Sequence, residues 1–324
     1  MKKMISFIII LVLLFFGVQI LFLSNDIINT IRTAINIWLN NIFPSLFPFF
    51  VLSNFLINYG FVEFLSELLK PITKFLKLNP SSSFILVMSV ISGFPSNAKY
   101  TKELYLNNLI DCEEASKILT FTHFSNPLYI LGTVAISFLQ NKEVGFLILI
   151  VHYFTNIIIA LIFRNYHIST DIDSKVSFKK AINNMHEKRI NNHKTFGSIM
   201  QESLANTIQT LVLILGTITF FLVITTIIDK NININSYYQS ILNGFLEMTQ
   251  GLKYVSLLDI PLKLKSILAV MILSFGGLSV HFQVISIISD TKIKYLPFLT
   301  ARILHAAISG ILVFLLFDSY ILFI

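Results

Sequence analysis

The sequence predicts an all-α, polytopic membrane protein with two inverted repeats, each containing a broken re-entrant hairpin. Three observations predict it. Hydrophobic residues fill 55% of the 324 positions and charged residues only 13%, with mean hydropathy +0.76. A soluble domain carries about 25% charged residues to face water. Second, residues 5–23, 33–62, 78–98, 118–141, 144–163, 203–228 and 266–289 hold no Asp, Glu, Lys or Arg, and Ile303 to Phe317 is equally clean. A helix needs roughly 20 such residues to cross a bilayer. Third, two of these runs are interrupted, at Gly93-Phe94-Pro95 and at Gly276-Gly277.

The first run follows Met1-Lys2-Lys3 and ends before Ser24-Asn25-Asp26. It exceeds a typical signal-peptide core and lacks a small-x-small cleavage site, so residues 1–30 are expected to be a retained transmembrane helix. Cys112 is the only cysteine, which rules out an intramolecular disulfide and argues against a cysteine-based metal site. The formal charge of +7 fits contact with the cytoplasmic leaflet and implies no nucleic-acid partner.

Residues 31–164 are expected to form the first repeat, with one extra helix. Its order is a crossing at 33–58, an amphipathic stretch at 61–77, a broken run near 83–108, and crossings near 118–140 and 144–163. The amphipathic stretch carries Glu63, Glu67, Lys70, Lys74 and Lys77 at helical spacing. The run 78–98 is expected to enter and leave on one side, because Gly frees the backbone and Pro removes an amide donor at its tip. Residues 165–197 form a basic loop. Arg164, Lys175, Lys179, Lys180, Lys188, Arg189 and Lys194 outnumber Asp171, Asp173 and Glu187, which places the loop and the Lys2-Lys3 terminus inside. Residues 198–324 are the second repeat, inverted. It runs through a crossing at 203–228, a polar-striped stretch at 236–255 with Asn243, Glu247 and Gln250, the broken run 266–289 and a crossing at about 298–318.

Polar groups at lipid depth mark functional candidates. The first cluster is Ser92, Gly93, Pro95, Ser96, Asn97 and Lys99. It reads either as a solute-holding tip or as a surface loop with a solvated lysine. The second is Thr122, Ser125, Asn126 and Pro127, with His123 among them. A continuous helix from Ile118 to Gln140 would be about 34 Å long. The Asn-Pro step therefore either breaks a membrane-length element or separates a surface helix from a short crossing. The third is Gly276, Gly277, Ser279, His281 and Gln283, read as an unwound tip or as a glycine packing notch. Arg302 is expected to snorkel to the interface. The chain contains no HExxH, GxSxG or Walker motif, and no paired carboxylates lie in a span. No enzymatic role, cofactor or metal is expected.

Taken in order, Phe43-Pro44-Ser45-Leu46-Phe47-Pro48-Phe49-Phe50, Ser92-Gly93-Phe94-Pro95 with Lys99, Ser125-Asn126-Pro127, Phe275 to Val280 with Gln283, and Ala301-Arg302-Ile303-Leu304-His305 resemble the YlbJ-type sporulation integral membrane proteins. That family sits in a wider group with a nucleoside-recognition "Gate" domain, similar to parts of the concentrative nucleoside transporters. The resemblance covers nearly the whole chain from about residue 30. It implies a bacterial cytoplasmic-membrane protein with a transporter-like core and a link to spore formation. Its gate residues would be Gly93, Pro95, Asn97, Lys99, Ser125, Asn126, Pro127, Gly276, Gly277, Ser279 and Gln283. One departure stands out. Nucleoside transporters of that type carry acids beside the bound sugar, and neither expected tip here has one; the nearest are Glu103 and Glu247.

The functional expectation is a transporter-like protein for a small polar solute, nucleoside-like or otherwise, in contact with lipid and capable of forming a homo-oligomer. The alternative is a non-transporting scaffold of spore or envelope formation, its 165–196 loop docking a partner.

Overall fold

Charge-free runs become helices because a backbone in lipid has no water to bond and must satisfy its own N–H and C=O groups. The computed structural model describes residues 2–169 and 175–323, and every regular element among them is helical. Asp171 and Asp173 of the central loop lie outside the described residues.

Helix α1 (Lys2–Phe22) meets α2 (Ser24–Ile37) at Leu23. A π-helical turn at Trp38–Ile42 joins α2 to α3 (Phe43–Asn58), and the two arms are bent by 53°. Pro44 and Pro48 remove amide donors at the bend, which gives the kink its cause. Then come α4 (Phe61–Leu68), α5 (Lys70–Phe75), α6 (Ser82–Ser92), α7 (Ser96–Leu106), α8 (Cys112–Leu119), a π-helical segment Tyr129–Leu139, and α9 (Lys142–Ile162). The second half holds α10 (Phe178–Asn191), α11 (Phe196–Asn231), α12 (Ser236–Leu246), α13 (Met248–Leu257), α14 (Leu262–Phe275), α15 (Gly277–Ile288) and α16 (Leu296–Phe323).

Five helical runs among the described residues are long and apolar enough to cross a membrane, and the bent α2–α3 pair makes a sixth. They are Met4–Phe22, Lys142–Asn165, Phe196–Asn231, Leu262–Ile288 and Leu296–Phe323. Helix α6 and the segment Tyr129–Leu139 are apolar but have 11 residues each, about 16 Å at 1.5 Å per residue. Neither crosses alone.

Two helix pairs pack closely after a turn. Helices α6 and α7 meet through Phe84 against Tyr100, with the Tyr100 hydroxyl donating to Ser92 Oγ at 3.2 Å. Their turn uses Gly93, whose φ of +77° with ψ of −177° is open to glycine almost alone. Helices α12 and α13 pack more tightly still. A Cβ on Gly251 would stand 2.0 Å from Gly244 Cα. Small residues also bring α9 against the 129–139 segment, where a Cβ on Gly145 would meet Ala135. Lipid drives no hydrophobic association between helices, so close backbone approach of this kind supplies dispersion contact instead.

The structure corrects four expectations. The break at Gly276-Gly277 is not folded back on itself, since α14 and α15 continue as one 27-residue apolar run. Gly276 at φ +93° closes α14 and α15 starts at once, so the direction of the chain is largely kept. The stretch 236–255 is not one striped helix: it breaks at Glu247, which is extended at φ −138°, ψ 115°. In the second half it is this pair, α12–α13, that turns back. The basic loop contains α10, seated on α4 through Lys188 to Glu63 at 3.6 Å, with Arg189 stacked over Tyr59. Arg302 does not snorkel; it is 0% exposed. Helix α16 begins at Leu296, so Arg302 lies well inside it, where α9 and α14 pack.

Candidate functional site

Four interruptions of helix come together in the middle of the fold. They are Gly93-Phe94-Pro95, the non-helical residues 122–126, Glu247, and Gly276. Each folded-back pair touches one break. A Cβ on Gly93 would meet Asn126 N at 2.7 Å, and Phe94 N donates to Phe124 O at 2.7 Å. A Cβ on Gly277 would meet Met248 N at 3.0 Å and Gly244 O at 3.2 Å. Glycine is required at both places by the neighbour's backbone as well as by positive φ.

Both readings of the 118–140 segment expect a break before Asn126-Pro127, and the structure has one. Helix α8 stops at Leu119 and the next helical residues follow Asn126. Asn126 joins the pieces: Oδ1 accepts from Leu128 N at 2.8 Å, and Nδ2 donates to the Ile91 and Ser92 carbonyls of α6. It caps one helix end and closes another.

Freed carbonyls at the breaks need donors, because an unpaired buried backbone group costs about 1–3 kcal/mol. Arg302 supplies them. Its guanidinium donates to the Thr120, His123 and Ser274 carbonyls, to Asn156 Oδ1 and toward His305 Nδ1. One planar fork with five N–H groups thus ties both broken runs to α16, which a lysine ammonium could not do. His152 accepts from Ser125 N at 2.9 Å and meets Ser274 Oγ at 3.1 Å, while Asn156 donates to His123 O. His305 Nε2 faces His152 O at 3.0 Å. All these side chains are buried.

Beside this network lies a cavity of about 70 Å³. Pro95 comes from the first turn, Ser125 and Asn126 from the first break, Glu247 and Thr249 from the second turn, and Gln283 from α15. Glu247 is 2% exposed and receives Gln250 N at 2.8 Å. The acid thought absent from both tips therefore sits at the turn of the second folded-back pair. No residue type announced it, since Asn243, Glu247 and Gln250 keep helical spacing whether or not the backbone breaks between them.

The other candidates divide. Pro95, Ser125, Asn126 and Gln283 line the cavity. Ser92, Ser96 and Thr122 bond back to the carbonyls of Met88, Gly93 and Ile118. Both amide atoms of Asn97 are buried without a partner. Lys99 lies under the Phe50 ring, 4.6 Å from its centroid. His281 bonds Tyr295 at 2.7 Å and the Phe275 carbonyl at 3.0 Å, which makes it a support for the Gly276 break. Ser279 is fully buried, and Pro127 stands at the start of the helix after the first break. His123 stacks on Phe94 at 4.5 Å with an interplanar angle of 10°, and a Cβ on Gly276 would stand 3.3 Å from its Nε2. Glu247, Arg302, His152 and Asn156 are the site's main additions to the sequence reading. Among the described residues no group of three His, Cys, Asp or Glu side chains gathers as metal ligands would.

Two ion pairs at the surface link distant segments, Lys294 with Glu113 and Lys102 with Asp290 at 2.7 Å. The Lys102 hydrogen bond keeps the Asp290 carboxyl below its ordinary range.

Comparison with known proteins meets this geometry. The family model described as Gate, nucleoside recognition, matches residues 39–165, from the bend at α3 to the end of α9. The sporulation integral membrane protein YlbJ of Bacillus subtilis (strain 168) is 33% identical over 310 residues, covering 88% of this chain and 76% of that protein. No solved structure matches. With that identity over most of both sequences, and with the Gate match across its first half, this integral membrane protein belongs to the YlbJ family of sporulation membrane proteins.

Proposed function

We propose that the protein binds a small polar solute in the cavity between the four breaks and moves it across the membrane. Glu247 carries the reading. A carboxyl group held at this depth in a membrane protein is costly and is retained for function by default. Here it shares a cavity with Asn126, Thr249 and Gln283, three side chains able to orient a polar ligand.

The architecture we infer is a pair of inverted repeats. The first takes α3, the hairpin α6–α7, the broken crossing α8 to Leu139, and α9. The second takes α11, the hairpin α12–α13, the broken crossing α14–α15, and α16. Support comes from the shared order and from the matching contacts, Gly93 on Asn126 and Gly277 on Met248. Transporters built this way bind solute near the bilayer midplane, at discontinuous helices between the repeats. The relative's description supports a bacterial cytoplasmic-membrane location and a role in spore formation, and the Gate description puts nucleosides first among solutes to try.

The test is saturable binding to purified protein in nanodiscs, then uptake into liposomes, across nucleosides and small polar metabolites. One solute class is expected to bind and enter, and Glu247→Gln is expected to abolish both. The reading is wrong if no member of the panel binds saturably, or if Glu247→Gln and Gln283→Ala each bind as the parent does.

A further inference from the structure

We infer that α2 is the wall of a water-filled vestibule, through which solute reaches the central cavity from the end of the molecule that carries Asp26 and Lys230. The inference rests on the cavity being the binding site.

A second cavity, about 470 Å³, lies beside the first. The two share Asn41 and Thr249, so one opens toward the other at these side chains. Helix α2 contributes Asp26, Asn29, Thr30 and Thr33 to its lining, helix α11 contributes Thr226 and Lys230, and helix α13 contributes Gln250 and Lys253. Thr30 and Thr226 are hydrogen-bonded across it at 2.8 Å, and Asp26 pairs with Lys230 at 2.8 Å.

The sequence of α2 carries the argument. The lining positions Asp26, Asn29, Thr30, Thr33, Ile37 and, past the helix end, Asn41 lie three or four residues apart, the neighbours Asn29 and Thr30 excepted. At about 100° per residue these positions gather on one side of the helix. Ile28, Ile31, Ile35 and Leu39 gather on the opposite side, and all four are exposed large apolar residues. Ile27 and Ala34 fall between the stripes and are the buried positions of α2, the helix lying against α11. A helix wholly in lipid would not place an acid, two amides and two hydroxyls along one line, because each is unfavourable in hydrocarbon. Three faces therefore answer three surroundings: protein, lipid and water.

The test reads water directly and needs no solute. In a Cys112→Ser background, which removes the only native cysteine, single cysteines replace Asn29, Thr33, Ile28 or Ile35. Each protein in liposomes is exposed to a permanently charged methanethiosulfonate reagent and, separately, to a neutral, membrane-permeant maleimide. Asn29→Cys and Thr33→Cys are expected to react with the charged reagent at least ~10-fold faster than Ile28→Cys and Ile35→Cys, since a charged reagent partitions poorly into hydrocarbon. After denaturation in detergent all four are expected to react with the maleimide, which shows that the thiols are present, since only a thiol that can ionise in water reacts. Equal rates along both stripes overturn the inference. So does labelling of Asn29→Cys and Thr33→Cys only after denaturation, which would mean that lipid fills the cavity. Should the labelling stripe hold while Glu247→Gln leaves solute binding unchanged, the vestibule stands and the proposed site falls; the reverse pattern separates them the other way.

Discussion

Between α6 and α7 the chain turns through Gly93-Phe94-Pro95, whereas between α12 and α13 it turns at Glu247 alone. The first turn is made by residues with unusual backbones. Gly93 takes a conformation closed to side chains and Pro95 has no amide to satisfy. The second is made by an ordinary residue whose backbone is merely extended, and whose carboxylate caps the helix that follows. Its closeness is provided from outside the turn, by Gly244 and Gly251 packing the arms together. The broken crossings divide the other way round. One is held open over several residues by Arg302, His152 and Asn156, side chains distant in sequence; the other turns on two adjacent left-handed glycines, Gly276 and Gly277, with Arg302 bonding the Ser274 carbonyl before them. Local backbone chemistry thus makes one turn and one break, and contacts from elsewhere in the fold make the other two.

The sharpest way to break this contrast is to fill the glycine seam. Gly251→Ala drives a Cβ into the backbone of Gly244, a kind of overpacking that costs about 1–3 kcal/mol and more when backbone has to move. Its yield of monodisperse protein on size exclusion is expected to collapse. Gly244→Ala meets the Ile272 side chain rather than backbone and is expected to fare better; equal behaviour would mean that the seam does not hold the turn.

Next in size is Arg302→Met, which strips donors from the Thr120 and Ser274 carbonyls, each worth about 1–3 kcal/mol when left buried and unpaired, while the His123 carbonyl keeps Asn156. The melting temperature in detergent is expected to fall by more than for any single hydroxyl removed from the network. Arg302→Lys is expected to recover only part of the loss, as a point charge cannot reach both runs. A variant melting with the parent would show that the first break is held by packing after all.

Glu247→Gln separates turn from site. The amide oxygen keeps an acceptor for Gln250 N, so stability is expected to change by less than about 1 kcal/mol while binding is lost. Loss of folding instead would mean that the charge serves the turn.

The smallest effect belongs to the surface pair of Lys102 and Asp290. Asp290 is held below its ordinary range by Lys102, so its contribution is present above the unfolded value of about 3.9 and fades as pH falls through the lower folded value. Solvent screening keeps it under about 1 kcal/mol. Asp290→Asn is expected to remove a slight loss of stability that sets in as pH falls below about 4, without altering binding, as followed by thermal melts.

Legibility follows the same division. Gly93-Pro95 and Asn126-Pro127 were readable as breaks because dihedral freedom and missing amides are properties of the residues themselves. Glu247 was not, because a stripe of polar residues at helical spacing is equally consistent with one helix or with two that end and begin beside it. Gly276-Gly277 was read as the tip of a hairpin; glycine permits a break but does not say whether the chain turns back. Arg302 was assigned to the interface by its nearness to the start of a helix, a rule that ignores what packs around that helix.

By itself the sequence determined the solvent, most of the long apolar helices, the basic stretch between the two halves and where backbone chemistry interrupts helices, because each depends on composition, hydropathy or dihedral preference within a few residues. Only the tertiary structure decided which breaks meet, that an acid stands between them and that a buried guanidinium binds them. Those facts rest on contacts such as Arg302 with Thr120, 182 residues apart, and no local property of the chain encodes which distant partner will fill a broken helix.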